Sequence, residues 1–131
     1  MAGKIAVVVK SNRLRNISEQ MKSRVRDIAR KAALDTKSHA IRLMEGPKHG
    51  LVYRRGKKVH QASAPGEAPA IDTGKLANSI QTDSFGPMGA MVYTDTEYGA
   101  ILEFAMNRPF MGRAVEEVRE GFLRAVEGVL K

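Results

Sequence analysis

Apolar residues recur at spacings of four and three along Ile17, Met21, Val25, Ile28 and Ala32, with Lys22, Arg24, Arg26, Arg30 and Lys31 between them. That period marks one face of an α-helix, and the remaining face is basic. The pattern continues through Ala40, Ile41 and Met44 to Gly46-Pro47, where proline removes a donor from the helical ladder. It predicts a helix over residues 16–45, with Asn16 or Ser18 as candidate caps. Such a helix would be roughly 42 Å long at 1.5 Å per residue. For a chain of 131 residues that length points to a helix that projects or joins subunits.

Ahead of it, residues 4–10 are β-branched between two lysines and read as a strand. A second helical stripe closes the chain: Met111, Val115, Val118, Phe122, Val126 and Val129, preceded by Arg108-Pro109-Phe110. Glu116, Glu117 and Glu120 lie in its first half, on the positive side of the helix dipole. Between the stripes, Lys75–Ile80 read as one or two helical turns. Ile80–Asp83 and Ala90–Thr94 read as strands joined by Phe85-Gly86-Pro87-Met88-Gly89. Thr96 is a candidate cap for a short helix through Tyr98, Ile101, Leu102 and Phe104. The expected packing of that helix on the core uses Tyr98, Leu102, Phe104 and Phe110.

Residues 46–72 break every period. Gly46, Pro47, Gly50, Gly56, Pro65, Gly66 and Pro69 interrupt them, and Arg54, Arg55, Lys57 and Lys58 cluster beside Tyr53. Unstructured loops of this length are uncommon inside compact domains and are usually functional or disordered. Two readings stand: a small hairpin turning at Arg55-Gly56, or an extended arm ordered by a partner. The sum is a single α+β domain, with two amphipathic helices on a small antiparallel sheet and a long extended basic loop over 46–72. Residues 73–131 supply the sheet, short helix and C-terminal helix.

Composition narrows the chemistry. With no cysteine, thiol nucleophiles, disulfides and cysteine zinc sites are excluded. The longest apolar run, Ile5–Val9, is far short of the roughly 20 residues of a membrane span, and no signal-peptide pattern surrounds it, so a soluble intracellular product without a membrane partner is expected. His39, His49 and His60 are ten and eleven residues apart, outside metal-ligand spacing. Asp72, Asp83, Asp95, Glu97 and Glu103 are unpaired by spacing, and Ser79 and Ser84 have no histidine placed to activate them. No catalytic, metal or cofactor site is therefore assigned.

Charge is uneven. Residues 1–60 carry 16 Lys+Arg against 4 Asp+Glu, whereas residues 61–131 carry 6 against 10. Such polarity suits either a polyanion near the first half or copies of the chain that meet charge to charge. Arg54, Arg55, Lys57 and Lys58 are the candidate contact residues for phosphate or for a protein partner. Base-reading helix-turn-helix patterns are absent.

Three blocks in order carry a resemblance. They are residues 53–80, with Ser63-Ala64-Pro65-Gly66-Glu67 and Asp72-Thr73-Gly74-Lys75-Leu76-Ala77-Asn78-Ser79-Ile80; residues 94–104, with Tyr98 and Glu103-Phe104; and Arg108-Pro109-Phe110-Met111 with Ala114. This order resembles the minor tail component, or tail-completion, family of tailed double-stranded DNA bacteriophages, over roughly residues 15–131. Two departures stand out: Gly99 where the family usually has Ala, and Ala105-Met106-Asn107 where Gly-Thr is common. The resemblance implies a structural virion protein of the neck, made in the host cytoplasm and acting as a ring, commonly of six copies. Its implied partners are itself, the connector or stopper, tail terminator or tail tube proteins, and DNA passing through the lumen. The motif residues implied as structural are Asp72, Thr73, Gly74, Leu76, Ser79, Tyr98, Glu103, Phe104, Arg108, Pro109 and Phe110, with Asp72-Thr73-Gly74 read as a turn. The alternative reading is a non-specific DNA-binding protein of small oligomeric form.

Overall fold

The computed structural model describes residues 5–9, 19–71 and 74–130. Asn16, Ile17, Ser18, Asp72 and Thr73, named above as caps, stripe or turn, lie outside them. The first strand, β1, is Ile5–Val9, and the long helix, α1, is Glu19–Glu45. Hairpin strands β2 (Val52–Arg55) and β3 (Lys58–Gln61) follow, then the short helix α2 (Lys75–Ser79). Strands β4 (Gln81–Phe85) and β5 (Gly89–Thr94) lead to α3 (Glu97–Ala100), a π turn over Ile101–Ala105, and α4 (Met111–Leu130). The architecture is α+β.

β5 is the central strand of an antiparallel sheet ordered β1-β5-β4, with Val7 opposite Val92 and Thr82 opposite Val92 on the other side. Ala90, Val92 and Thr94 are buried on one face, where α1 lies across the sheet. Alanines set that contact: Ala29 and Ala33 are fully buried against Ala90, and such small side chains let the helix backbone approach the strands closely. On the buried face of α1 Thr36 is the polar exception, and its hydroxyl donates to the Ala32 carbonyl at 2.8 Å.

α4 packs along α1, with Val126 and Val129 against Val25 at one end. At the other end, Phe110, Met111 and Ala114 join Ala40, Met44, Ile80 and Leu102 in the main core. The buried face of α1 therefore runs from Val25 to Met44. The expected projecting helix is corrected on this point: α4 and the sheet between them cover α1 over most of its described length.

Within 46–72 the hairpin reading holds, and the reading as a wholly extended loop is corrected. Gly56, at φ 60°, supplies the left-handed turn that lets Arg55 pair with Lys58. The last helix and the β4–β5 hairpin fall where periodicity and turn residues place them. Ile80 is not the first residue of β4 as expected; it ends α2 and is fully buried.

Candidate partner interface

Residues from each of the three blocks meet at one joint. Arg108 donates from Nε to Ser63 Oγ at 2.8 Å and from Nη1 to the Met106 carbonyl at 2.7 Å. The Gly66 N–H donates to the Asn107 carbonyl at 2.8 Å. The segment Ser63–Gly66 is thereby sewn to the stretch that enters α4. Glu103 sits across the same entrance: its carboxylate accepts the backbone N–H groups of Phe110 at 2.7 Å, Met111 at 3.3 Å and Gly112 at 2.9 Å. These are donors that a helix start leaves without intrahelical partners, and a carboxylate there also meets the positive end of the dipole. Glu103, considered above as an acid or base, is a helix cap.

A row of hydroxyls links three elements. Ser79 Oγ donates to the Leu76 carbonyl at 2.6 Å and lies 2.6 Å from Thr94 Oγ1, which lies 3.0 Å from Thr96 Oγ1. Each hydroxyl has one proton, so one arrangement is consistent: Thr96 donates to Thr94, Thr94 to Ser79, and Ser79 to the carbonyl. Thr96 Oγ1 also accepts the Gly99 N–H at 3.3 Å, capping α3 as its position in the sequence predicts. Gly99 is buried in this corner. A Cβ there would lie 3.0 Å from Thr94 Cγ2 and from Thr96 Oγ1 and 3.2 Å from Leu76 Cδ1. The absence of a side chain at Gly99 thus permits the close fit of α3 in this corner. Gly74, at φ 80°, precedes α2, and its carbonyl accepts the Asn78 N–H at 2.9 Å.

Glu67, which the sequence reading left without a role, clasps the root of the hairpin. Its Oε1 accepts the Ala64 N–H at 2.7 Å and the His49 N–H at 2.9 Å, and His49 Nδ1 lies 2.7 Å from Oε2. The Ala64 N–H first, then the two His49 contacts, hold this carboxyl well below the usual range, at about 2. Burial lowers the neighbouring Lys48 ammonium, against the attraction of Glu67, and that ammonium donates to the Leu43 carbonyl at 2.6 Å. Between Gly50 and Ala62 the strands close with the Gly50 N–H donating to the Ala62 carbonyl at 2.9 Å. The only advance signal for Glu67 was its place in the Ser-Ala-Pro-Gly-Glu segment.

Beyond this root the hairpin is an arm. Beyond marginal contact, no described helix or strand packs against β2 or β3. Tyr53 and His60 stack edge to face, 5.2 Å between centroids, while Leu51, Val52 and Val59 are 83%, 61% and 62% exposed. Arg54 is exposed on β2, Lys57 is exposed in the turn, and Arg55 and Lys58 are paired where the strands end.

The second exposed surface corrects an expectation. Leu102 and Phe110 pack in the core, but Tyr98 and Phe104 are 59% and 77% exposed. The reason is the π turn, which the Met106 N–H closes onto the Ile101 carbonyl at 3.0 Å. Its wider winding puts Leu102 inside and aims Glu103 at the α4 entrance, so Phe104 is turned out. Ile101 and Met106 are exposed beside it. Next to Tyr98 opens a cleft of about 600 Å³ lined by Met44, Pro69, Ile71, Leu76 and Glu97.

Comparison with protein-family models, curated proteins and solved structures finds no match. The chemistry available is therefore what the residues themselves provide. Among the described residues no three His, Asp or Glu side chains converge to hold a metal ion, and no helix is long and apolar enough to cross a membrane. Among the described residues the cleft is lined by one carboxylate, Glu97, and one ammonium, Lys75, beside Met44, Pro69, Ile71 and Leu76.

Proposed function

We propose that this chain is a structural virion protein of a phage neck or tail, completing the tail or joining it to the DNA-filled head as a ring of about six copies. The observation that carries this reading is the free-standing basic arm, rooted in the joint where the three resemblance-bearing blocks meet. Glu67, Ser63 and Arg108 hold its base, while no described helix or strand packs against β2 or β3 beyond marginal contact. A held root with an exposed arm suits assembly with other chains. Opposite net charges in the two parts of the sequence suit contacts between neighbours. In such a ring the connector or stopper would lie on one side and tail terminator or tail tube proteins on the other, with genomic DNA crossing the lumen.

Light scattering at low and high salt tests the reading. A discrete species near six times 14.4 kDa is expected. A second reading, non-specific DNA binding by a small oligomer, is favoured by exposed Arg54 and Lys57. It predicts duplex binding that falls steeply with salt as phosphate counterions are exchanged. A small oligomer with that salt dependence would replace the ring reading.

A further inference from the structure

We infer that the arm and the π turn form one coupled unit tied through Arg108, so that whatever fixes the arm also tightens the cap on α4. Beyond marginal contact no described helix or strand packs against β2 or β3, so the arm is held at its root. Two hydrogen bonds cross from that root to the segment leading into α4. The Gly66 N–H donates to the Asn107 carbonyl at 2.8 Å, and Arg108 Nε donates to Ser63 Oγ at 2.8 Å. Ser63 follows directly on Ala62, whose N–H donates across the hairpin to the Leu51 carbonyl at 2.8 Å.

Arg108 is bound on its other side to the π turn. Its backbone N–H donates to the Leu102 carbonyl at 2.8 Å, and its Nη1 donates to the Met106 carbonyl at 2.7 Å. One half-buried residue thus joins both elements. Glu103 lies within the same turn, and its carboxylate accepts the N–H groups of Phe110 at 2.7 Å and Gly112 at 2.9 Å. The path from arm to helix is therefore continuous: Ala62, Ser63, Arg108, the π turn, Glu103, Phe110.

Asn107 gives the joint two discrete settings. Its φ of 52° lies in the left-handed well, which asparagine tolerates but does not prefer. A return to the right-handed well would reorient the peptide whose carbonyl receives Gly66 and undo that tie. The closed setting persists while the bonds around it outweigh the backbone cost. Fixing the arm removes motion that works against those bonds, and local order at one end then favours order at the other. Coupling of this kind is reciprocal, so loss of the α4 cap loosens the arm root in turn. None of this depends on what the arm meets.

A disulfide across the arm tests the coupling, since the chain has no cysteine of its own. Val52 stands opposite Gln61 in the hairpin register. Val52→Cys/Gln61→Cys is compared oxidised and reduced, with amide exchange read as protection relative to the intrinsic rate. Oxidation should raise protection of the Met106, Arg108 and Phe110 amides by roughly threefold or more. Val126, near the far end of α4, should not change. No rise at the three amides, or an equal rise at Val126, overturns the inference. Adding Ser63→Ala removes only the acceptor of Arg108 Nε and should shrink the rise; an undiminished rise overturns Arg108 as the tie. Gly50→Ala needs no disulfide and reads the coupling in the opposite sense. It should lower protection at Met106 and Phe110 together with Ala62, and a loss confined to Ala62 counts against the inference.

Discussion

Oε2 of Glu103 accepts the backbone N–H of Phe110 at 2.7 Å, so the last helix is capped by a carboxylate eight residues before its first residue, Met111. A cap normally comes from the residue beside the first turn. Here the π turn brings it from the preceding helix and ties the exposed Tyr98–Phe104 segment to the main core. Glu103→Ala should destabilise the fold by about 1–2 kcal/mol, the usual cost of losing an N-terminal cap. Urea denaturation measures it, and an unchanged midpoint would mean that water replaces the carboxylate.

Phe110 and Phe104 should behave oppositely. Phe110 is fully buried and Phe104 is 77% exposed. Phe110→Ala should cost roughly 3–5 kcal/mol, as transfer and cavity terms add. Phe104→Ala should stay within about 0.5 kcal/mol, as exposed positions do. Thermal melts read both effects.

The Glu67 clasp carries a defined pH dependence. Its folded pKa is depressed from 4.5 to about 2, so its stabilisation is fully present above the unfolded value of 4.5. That stabilisation is lost as pH falls through about 2. Protection of the His49 and Ala64 amides, taken relative to the intrinsic exchange rate at each pH, should therefore be high at neutral pH and fall on acidification between these limits. Glu67→Gln should lower that protection at neutral pH and leave it flat over the window.

Gly50 has no room for a side chain. A Cβ there would stand 2.5 Å from both the Ala62 and Ser63 carbonyl oxygens, whereas a Cβ at Gly46 would stand 3.6 Å from its nearest neighbour, the Leu43 carbonyl oxygen. The obstruction at Gly50 is backbone and cannot rotate aside. Gly50→Ala should open the arm root at a cost of about 1–3 kcal/mol, with Gly46→Ala close to neutral. Amide exchange at Ala62, whose N–H donates to the Leu51 carbonyl, locates the damage.

Reversal of Arg54, Arg55, Lys57 and Lys58 to Glu should leave the melting temperature nearly unchanged, because the arm contributes little to the core. The same variant should lose assembly, or DNA retention if the second reading holds. Wild-type behaviour in both assays would remove the arm from function altogether.

Sequence alone determined the elements whose causes are local. The stripe through Val25 and Met44, the stop at Gly46-Pro47, the turns at Gly56 and Gly86 and the cap at Thr96 each follow from periodicity or backbone conformation within a few residues. Ala29 and Ala33 were less visible, since a small residue shows its value only against the strand it lets approach. What tertiary structure decided is which motif residues face inward and what they hold. Phe104 and Phe110 look alike in the sequence; a single π turn rotates one into water and leaves the other in the core. Glu103, Glu67 and Arg108 acquire their roles from partners 7, 18 and 45 residues away. Contacts across such separations depend on how the elements pack, and no short-range pattern encodes them.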